Sequence, residues 1–362
     1  MDGNSFDLSK TIENAIKEAL ENRGFVNVLI AGRTGVGKST LINSVFQGNF
    51  AKTGQGKPVT TNTTEYSKPG VPLRIYDSRG LELKEYKQIF SELEAFVKSK
   101  NKDTDPQNHI HVAWICIDES SRRIEDGEIQ LCQMLSNYMP TIGVITKASF
   151  DNGFRKEIQS HLPFAKNVVR VNSIPSVLDD GHIIKVSGLI DLVDITMDVV
   201  PEAHKTAFIA AQKVSIQQKK NRAHGIVAAA AASAAAAGAS PIPFSDAFIL
   251  IPIQVGMLAA ITAVFGLQLQ QSFLSTLVSS TITGAGATII GRTIAVNLLK
   301  MIPGAGSIAG GAISAAIATT VTSAFGEAYI ATLSALTSRS DFSTITNVEI
   351  IEEFEKRYKN KK

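Results

Sequence analysis

The sequence predicts an α/β domain with helices on both faces of its sheet, followed by an all-α hydrophobic helical domain. Three observations carry that expectation. A glycine-rich turn separates an apolar run from a helical pattern in VNVLIAGRTGVGKSTLINSVF, residues 26–46. Short apolar runs then alternate with amphipathic stretches to about residue 200, as in a sheet covered on both sides. Beyond that point charge almost disappears: residues 223–326 hold Asp246, Arg292 and Lys300, and the other 258 positions hold the remaining 66 of 69 charged residues.

The glycine-rich turn fits GxxxxGK[ST] at Gly32, Gly37, Lys38 and Ser39, with Arg33, Thr34, Gly35 and Val36 inside it and Thr40 after it. A strand before and a helix after supply the geometry that gives this pattern meaning. Successive backbone N–H groups and the positive end of the following helix would meet a triphosphate there. Lys38 is placed to reach the β and γ phosphates. The Ser39 hydroxyl suits Mg²⁺, which prefers hard oxygen ligands. A plain strand-to-helix turn is the bland alternative, and two correct flanks argue against it.

At 362 residues the chain is long enough for two or three domains. A net charge of +3 gives no case for nucleic acid as a partner. The two cysteines, Cys116 and Cys132, show neither metal-ligand spacing nor a disulfide framework, which suits a reducing compartment. No secretory signal is visible in MDGNSFDLSK. The expected organisation is an amphipathic helix at 1–24, an α/β domain at 25–204, a helical-hairpin domain at 205–340 and a charged tail at 341–362. In the first of these, Phe6, Ile12, Ala15, Ile16, Ala19 and Leu20 share one side of a helix, with Asp7 or Ser9 as its cap.

After the turn, LRIYDSRGLEL reads as a strand ending at Asp77, where a carboxylate of P-loop enzymes holds Mg²⁺. With Gly80 it forms Asp-x-x-Gly, whose glycine N–H can sense a γ phosphate. The polar segment before it offers Thr60, with Thr61 as rival, as a hydroxyl for the metal on a loop released when the phosphate leaves. Thr63 and Thr64 read instead as edge-strand residues. Helices are expected at about 85–98, 124–137, 152–162 and 186–200, with strands in HIHVAWICID, TIGVIT and NVVRVNS. In such a sheet the phosphate turn, Asp77, Lys147 and Ser173 converge at the carboxyl ends of the strands, where ligands bind.

GRTGVGKST, PVT, DSRG, TKAS and VNS follow the order and approximate spacing of the five signature segments of the TRAFAC class of regulatory GTPases. Over roughly residues 25–200 the chain most resembles the Era-like branch of that class. The resemblance implies a mixed six-stranded sheet, Mg²⁺-dependent GTP binding and switching on hydrolysis. It also assigns Thr146, Lys147, Ser149, Asn172 and Ser173 to the nucleotide base.

Departures from the pattern weaken parts of that assignment. The base-reading segment [NT]KxD is here Thr146-Lys147-Ala148-Ser149, and a serine cannot accept two hydrogen bonds from guanine as a carboxylate does. Asp151 is the candidate substitute. Leu81 stands where Ras-like enzymes carry a water-orienting glutamine, and Gly35 where some relatives carry a cation-recruiting asparagine. Arg33 and Arg79 are candidate sources of positive charge, in cis or across a homo-oligomer; slow turnover is expected.

From Lys205 onward the chain reads as continuously helical, through KTAFIAAQKVSIQQKKNRAHG into IVAAAAASAAAAGAS. Breaks follow at Pro241 and Pro243 and at Pro303-Gly304. At a shift of 60, Ile242, Pro243, Thr262, Phe265 and Gly266 recur as Ile302, Pro303, Thr322, Phe325 and Gly326, which suggests two αα-hairpins. Residues 247–269 and 301–326 are uncharged and long enough to span a bilayer, and small residues such as Gly310 and Gly311 permit close helix approach. This half resembles the hydrophobic YcjF-like domain that follows GTPase domains in several bacterial proteins, on the PIPF-D and IPGAGS-AGG segments. The resemblance implies membrane lipid as a partner and a location on the cytoplasmic side of a membrane. The basic end of EEFEKRYKNKK is expected to be solvated.

Overall fold

The structure, a computed structural model, describes residues 7–50, 57–78, 86–238, 246–282, 310–339 and 344–359. Two compact units divide the chain, one of residues 24–215 and one of residues 1–23 with 216–362. Helix α1 (Leu8–Arg23) belongs to the second.

In the first unit seven strands alternate with helices. The strands are β1 (Val26–Gly32), β2 (Lys57–Thr60), β3 (Thr63–Ser67), β4 (Leu73–Ser78), β5 (Val112–Asp118), β6 (Thr141–Thr146) and β7 (Asn167–Arg170). The helices are α2 (Lys38–Val45), α3 (Tyr86–Asn101), α4 (Asp126–Ser136), α5 (Phe154–His161), α6 (Leu189–Val199) and α7 (Glu202–Ala211). The spatial order is β2-β3-β4-β1-β5-β6-β7, with β2 and β3 antiparallel to their neighbours and every other pairing parallel. A short hairpin of β8 (Ser176–Val177) and β9 (Ile183–Ile184) stands apart from this sheet.

The implied six-stranded sheet is thus corrected to seven. Lys57–Thr60 folds back on β3 through the turn at Thr61 and Asn62, where the Asn62 N–H donates to Thr60 Oγ1 at 3.2 Å. The polar threonine-rich segment has β propensity enough for an edge strand once β3 gives it a partner.

Alternation sorts the strands between two cores. Val28 and Ile30 of β1 join Leu41 and Val45 of α2, Leu192 of α6 and Phe208 of α7 on one face. Leu29 and Ala31 join Leu93 of α3, Leu131 of α4 and Ile158 of α5 on the other. Trp114 of β5 stacks on Phe46 at 5.5 Å between centroids, and its indole N–H donates to Thr196 Oγ1 at 3.2 Å. Cys116 and Cys132 are free and buried, and burial pushes the Cys116 thiol up to about 12, which makes it inert.

The continuous helix expected from Lys205 is interrupted. Helix α7 ends at Ala211 and α8 (Ile216–Gly238) starts only after Gln212–Ser215, where the Gln212 side chain donates to the Ser215 carbonyl at 2.8 Å and accepts the Ser215 N–H at 2.7 Å. A glutamine that substitutes for backbone partners offers the chain an alternative to the helical ladder. The boundary between compact units falls here, eleven residues later than the expected 204.

The second unit contains α1, α8, α9 (Asp246–Phe265), α10 (Gln271–Ile282), α11 (Gly310–Arg339) and α12 (Asn347–Lys359) among the described residues. Asp7 is the cap of α1, accepting the Lys10 N–H at 3.1 Å, and Ile12, Ala15 and Ala19 enter the helical core; Phe6 lies outside the described residues. Helices α8 and α11 approach closely at Gly326, where a Cβ would lie 2.5 Å from Val227. The Lys219 amine, fully buried, donates to the Phe265 carbonyl at the end of α9 at 3.3 Å, and burial pushes its pKa well below the ordinary lysine value. Gln271–Ile282 is helical, and the helix that leads into the basic tail packs inward. Ile350 and Phe354 of α12 are buried, with Phe354 edge-on to Phe325 and Tyr329. Among the described residues no helix is long and apolar enough to cross a membrane. The proline breaks at 241, 243 and 303 lie outside the described residues, as do residues 301–309 of the stretch 301–326 expected to span.

Candidate nucleotide site

Gly32 leaves β1 with φ 147°, and a Cβ there would fall 2.4 Å from the Cys116 carbonyl oxygen, so glycine alone fits beside β5. Gly37, at φ 98°, begins α2. Lys38 is the first residue of that helix and folds back over the turn. The residue is 9% exposed, and its amine donates to the carbonyls of Gly32 at 2.8 Å and Arg33 at 3.1 Å. A cation is therefore held above a glycine turn at the positive end of a helix, which is an arrangement suited to an anion. Thr34, Gly35 and Ser39 are exposed, Thr40 is half-buried and Val36 is buried.

Asp77 lies on β4 opposite Ile30 of β1. Its Oδ1 is buried and has no hydrogen-bond partner among the described residues, and the same holds for Ser78 Oγ. Burial raises the Asp77 carboxyl above its ordinary range while the charge of Lys38 pulls it down. An orphaned carboxylate oxygen is costly in a bare protein and apt for a hard cation. With the Ser39 hydroxyl it supplies the oxygen chemistry that Mg²⁺ takes. Thr60 lies on the edge strand β2, half-buried, and Thr61 is exposed in the turn. Gly80, Arg79 and Leu81 lie outside the described residues.

The proposed base segment leaves β6 beside this turn. Thr146 is buried, and its hydroxyl hydrogen is shared between the Val36 carbonyl at 2.6 Å and the Ile117 carbonyl at 3.1 Å, tying the segment to the phosphate turn. Lys147 has φ 54° and pairs with Asp118 at 2.6 Å. Asn172 is pinned by two backbone hydrogen bonds to Ser187, and its side chain donates to the Lys185 carbonyl at 3.0 Å. The Ser173 carbonyl accepts from Ser44 Oγ of α2 at 3.0 Å. Asp151 is placed at the start of α5: its Oδ1 accepts the Arg155 N–H at 2.8 Å and lies 3.6 Å from Arg170 Nε.

Four residues outside the sequence expectations shape the site. Asp118 pairs with Lys147, as above. Glu119, 1% exposed, takes the N–H groups of Ser149 and Phe150 together with the Arg170 guanidinium. Burial alone would raise its carboxyl, but these donors outweigh it and hold the group below its ordinary range. Glu125, which caps α4, accepts from Arg33 at 2.6 Å, so that arginine is paired with a carboxylate while its side chain stays partly exposed. The signal that could have found Asp118 and Glu119 was the acidic pair closing a buried strand; Glu125 carried no comparable signal. Arg170 gave none.

Residues 27–147 match the family model described as 50S ribosome-binding GTPase, and residues 203–358 match a domain of unknown function, DUF697. The α/β unit is a P-loop GTPase domain of the Era-like, TRAFAC kind. A distinct all-helical DUF697 domain follows it. Among curated proteins the chain is 30% identical over 135 residues to translocase of chloroplast 126 from Physcomitrium patens, a match over 34% of this chain and 11% of that protein. The chain therefore spans about a tenth of the length of this relative. Among solved structures, the G domain of the T. maritima FeoB iron transporter is 17% identical, covering 48% of this chain and 98% of its own, with a TM-score of 0.30. Toc33 from Arabidopsis thaliana in complex with Mg²⁺ and GMPPNP is 17% identical, covering 53% and 91%, with a TM-score of 0.32.

Proposed function

We propose that the chain binds GTP with Mg²⁺, hydrolyses it slowly, and uses its nucleotide state to control a membrane-associated helical domain. The observation that carries this reading is the pairing of Lys38, folded over its own turn, with the orphaned Asp77 oxygen on the neighbouring strand. The turn and Lys38 bind the β and γ phosphates, and Ser39, Asp77 and Thr60 are the oxygen donors for the metal. Bound Mg²⁺ supplies charge neutralisation to the transferring phosphoryl group. Lys147 lies along the base, Asp151 accepts from guanine in place of the carboxylate missing at Ser149, and Asn172 and Ser173 close the pocket. The Gly80 N–H and the hairpin that carries Thr60 sense the γ phosphate.

The helical domain, hydrophobic and YcjF-like, associates with lipid on the cytoplasmic face of a membrane and assembles with other copies. Support comes from the scarcity of charge in residues 223–326. The chloroplast-translocase name of the curated relative is compatible with this setting. A second reading, a membrane-anchored scaffold or pore-type assembly that binds nucleotide structurally, is favoured by Leu81 in place of a water-orienting glutamine. Multiple-turnover phosphate release with and without liposomes separates the two. Release above that of a Lys38→Ala control supports the switch, and none in either condition supports the scaffold.

A further inference from the structure

We propose that Glu119, with Arg170, sets the base selectivity of this site by fixing the backbone of the loop that reads the base; this rests on the reading above. The loop after β6 lacks the carboxylate of its motif, since Ser149 stands there. A different carboxylate reaches the same backbone from the end of β5. Glu119 Oε2 accepts the N–H groups of Ser149 and, at 2.9 Å, of Phe150. The Arg170 guanidinium forks onto the same group, Nε to Oε1 at 2.6 Å and a terminal nitrogen to Oε2 at 3.0 Å.

Strands β5, β6 and β7 are consecutive neighbours in the sheet. One carboxylate thus staples three adjacent strand ends. What it holds is not a relaxed loop: Lys147 adopts a left-handed φ of 54°, which for a lysine persists only where the surroundings impose it. The Ala148 N–H, bonded to the Val171 carbonyl at 3.1 Å, and the Lys147–Asp118 pair complete the restraint. An apolar side chain would be the simpler way to fill a buried position, because a buried ion pair is seldom retained for stability alone. Geometry at the loop is the better reason.

Arg170 also lies between two carboxylates, with Asp151 Oδ1 3.6 Å from its Nε. Loss of the Glu119 charge would leave Arg170 to Asp151, the residue assigned above to guanine, and would free the Ser149 and Phe150 N–H groups. Glu119 is therefore a positioning residue. The phosphate turn is held by other bonds and would be unaffected.

Calorimetric titration of the full chain with Mg²⁺ and GTP, ATP or tripolyphosphate tests this, comparing Glu119→Gln and Arg170→Lys with the unaltered protein. Glutamine offers one acceptor oxygen to donors that now share two. Expected for Glu119→Gln are about tenfold weaker GTP binding and a similar fall in the preference for GTP over ATP, with tripolyphosphate changed less than about twofold. Arg170→Lys should move the preference the same way by a smaller factor, and decides the matter if Glu119→Gln does not fold. A preference for GTP unchanged in both variants overturns the role of Glu119 alone. Equal losses for all three ligands overturn it too, because a merely structural role would produce them. Equal GTP and ATP binding by the unaltered protein removes the base reading together with the proposal.

Discussion

Thr262 and Thr322 stand at equivalent positions of the 60-residue repeat, both fully buried, and the structure gives them opposite roles. Thr262 donates to the Leu258 carbonyl at 2.7 Å and lies 2.7 Å from the hydroxyl of Tyr329, itself fully buried. Its single hydrogen is committed to Leu258, so the Tyr329 O–H donates to Thr262 Oγ1. Thr322 Oγ1 has no partner among the described residues. Replacement by valine is nearly isosteric, so the hydroxyl decides the sign. At 262 it strands a buried tyrosine hydroxyl, which costs about 1–3 kcal/mol, against a gain of under about 1 kcal/mol for the added methyl. A net loss of about 1–2 kcal/mol is expected. At 322 an unpaired hydroxyl disappears, and a gain of up to about 1 kcal/mol is expected. Hydrogen exchange of the α9 and α11 amides reads both effects within the helical unit. Trp114, the sole tryptophan, lies in the other unit and should report no change. Equal destabilisation by Thr262→Val and Thr322→Val would refute the reasoning.

Two further outcomes are expected. His111, 4% exposed, accepts the Asn27 N–H at Nδ1 at 2.9 Å and donates from Nε2 to the Pro106 carbonyl at 3.0 Å, and burial pushes it down from 6.5 to about 4. The unfolded chain binds this proton first as pH falls, so the contribution is complete above about pH 6.5 and is lost progressively towards about pH 4, roughly 3 kcal/mol in all. Urea midpoints followed by Trp114 fluorescence should fall more steeply over that window than in His111→Gln; parallel curves would contradict the assignment. The whole chain should stay with membranes through a carbonate wash, and its full release into the wash would leave at most a peripheral attachment.

What could be read from the sequence was chemistry confined to a few consecutive residues. The phosphate turn is such a case, since Gly32, Gly37 and Lys38 act through their own local backbone, and Asp77 follows from its place at a strand end. The seventh strand is not, because Lys57–Thr60 becomes a strand only by pairing with β3. Nor is the break after α7, where one glutamine replaces helical partners within four residues. In α12 the charges of EEFEKRYK mask the two side chains, Ile350 and Phe354, that seat it in the core. Glu119 was hidden for a related reason: its partners lie 30, 31 and 51 residues away.

Titration of the full chain with GTP, in Mg²⁺ and again in EDTA, beside Lys38→Ala, most directly tests whether this turn and the orphaned carboxylate form a nucleotide site. Saturable binding that requires Mg²⁺ and is abolished in Lys38→Ala is the expected result. Binding of equal strength in the variant, or binding indifferent to Mg²⁺, would contradict the assignment of Lys38 to the phosphates and of Asp77 to the metal.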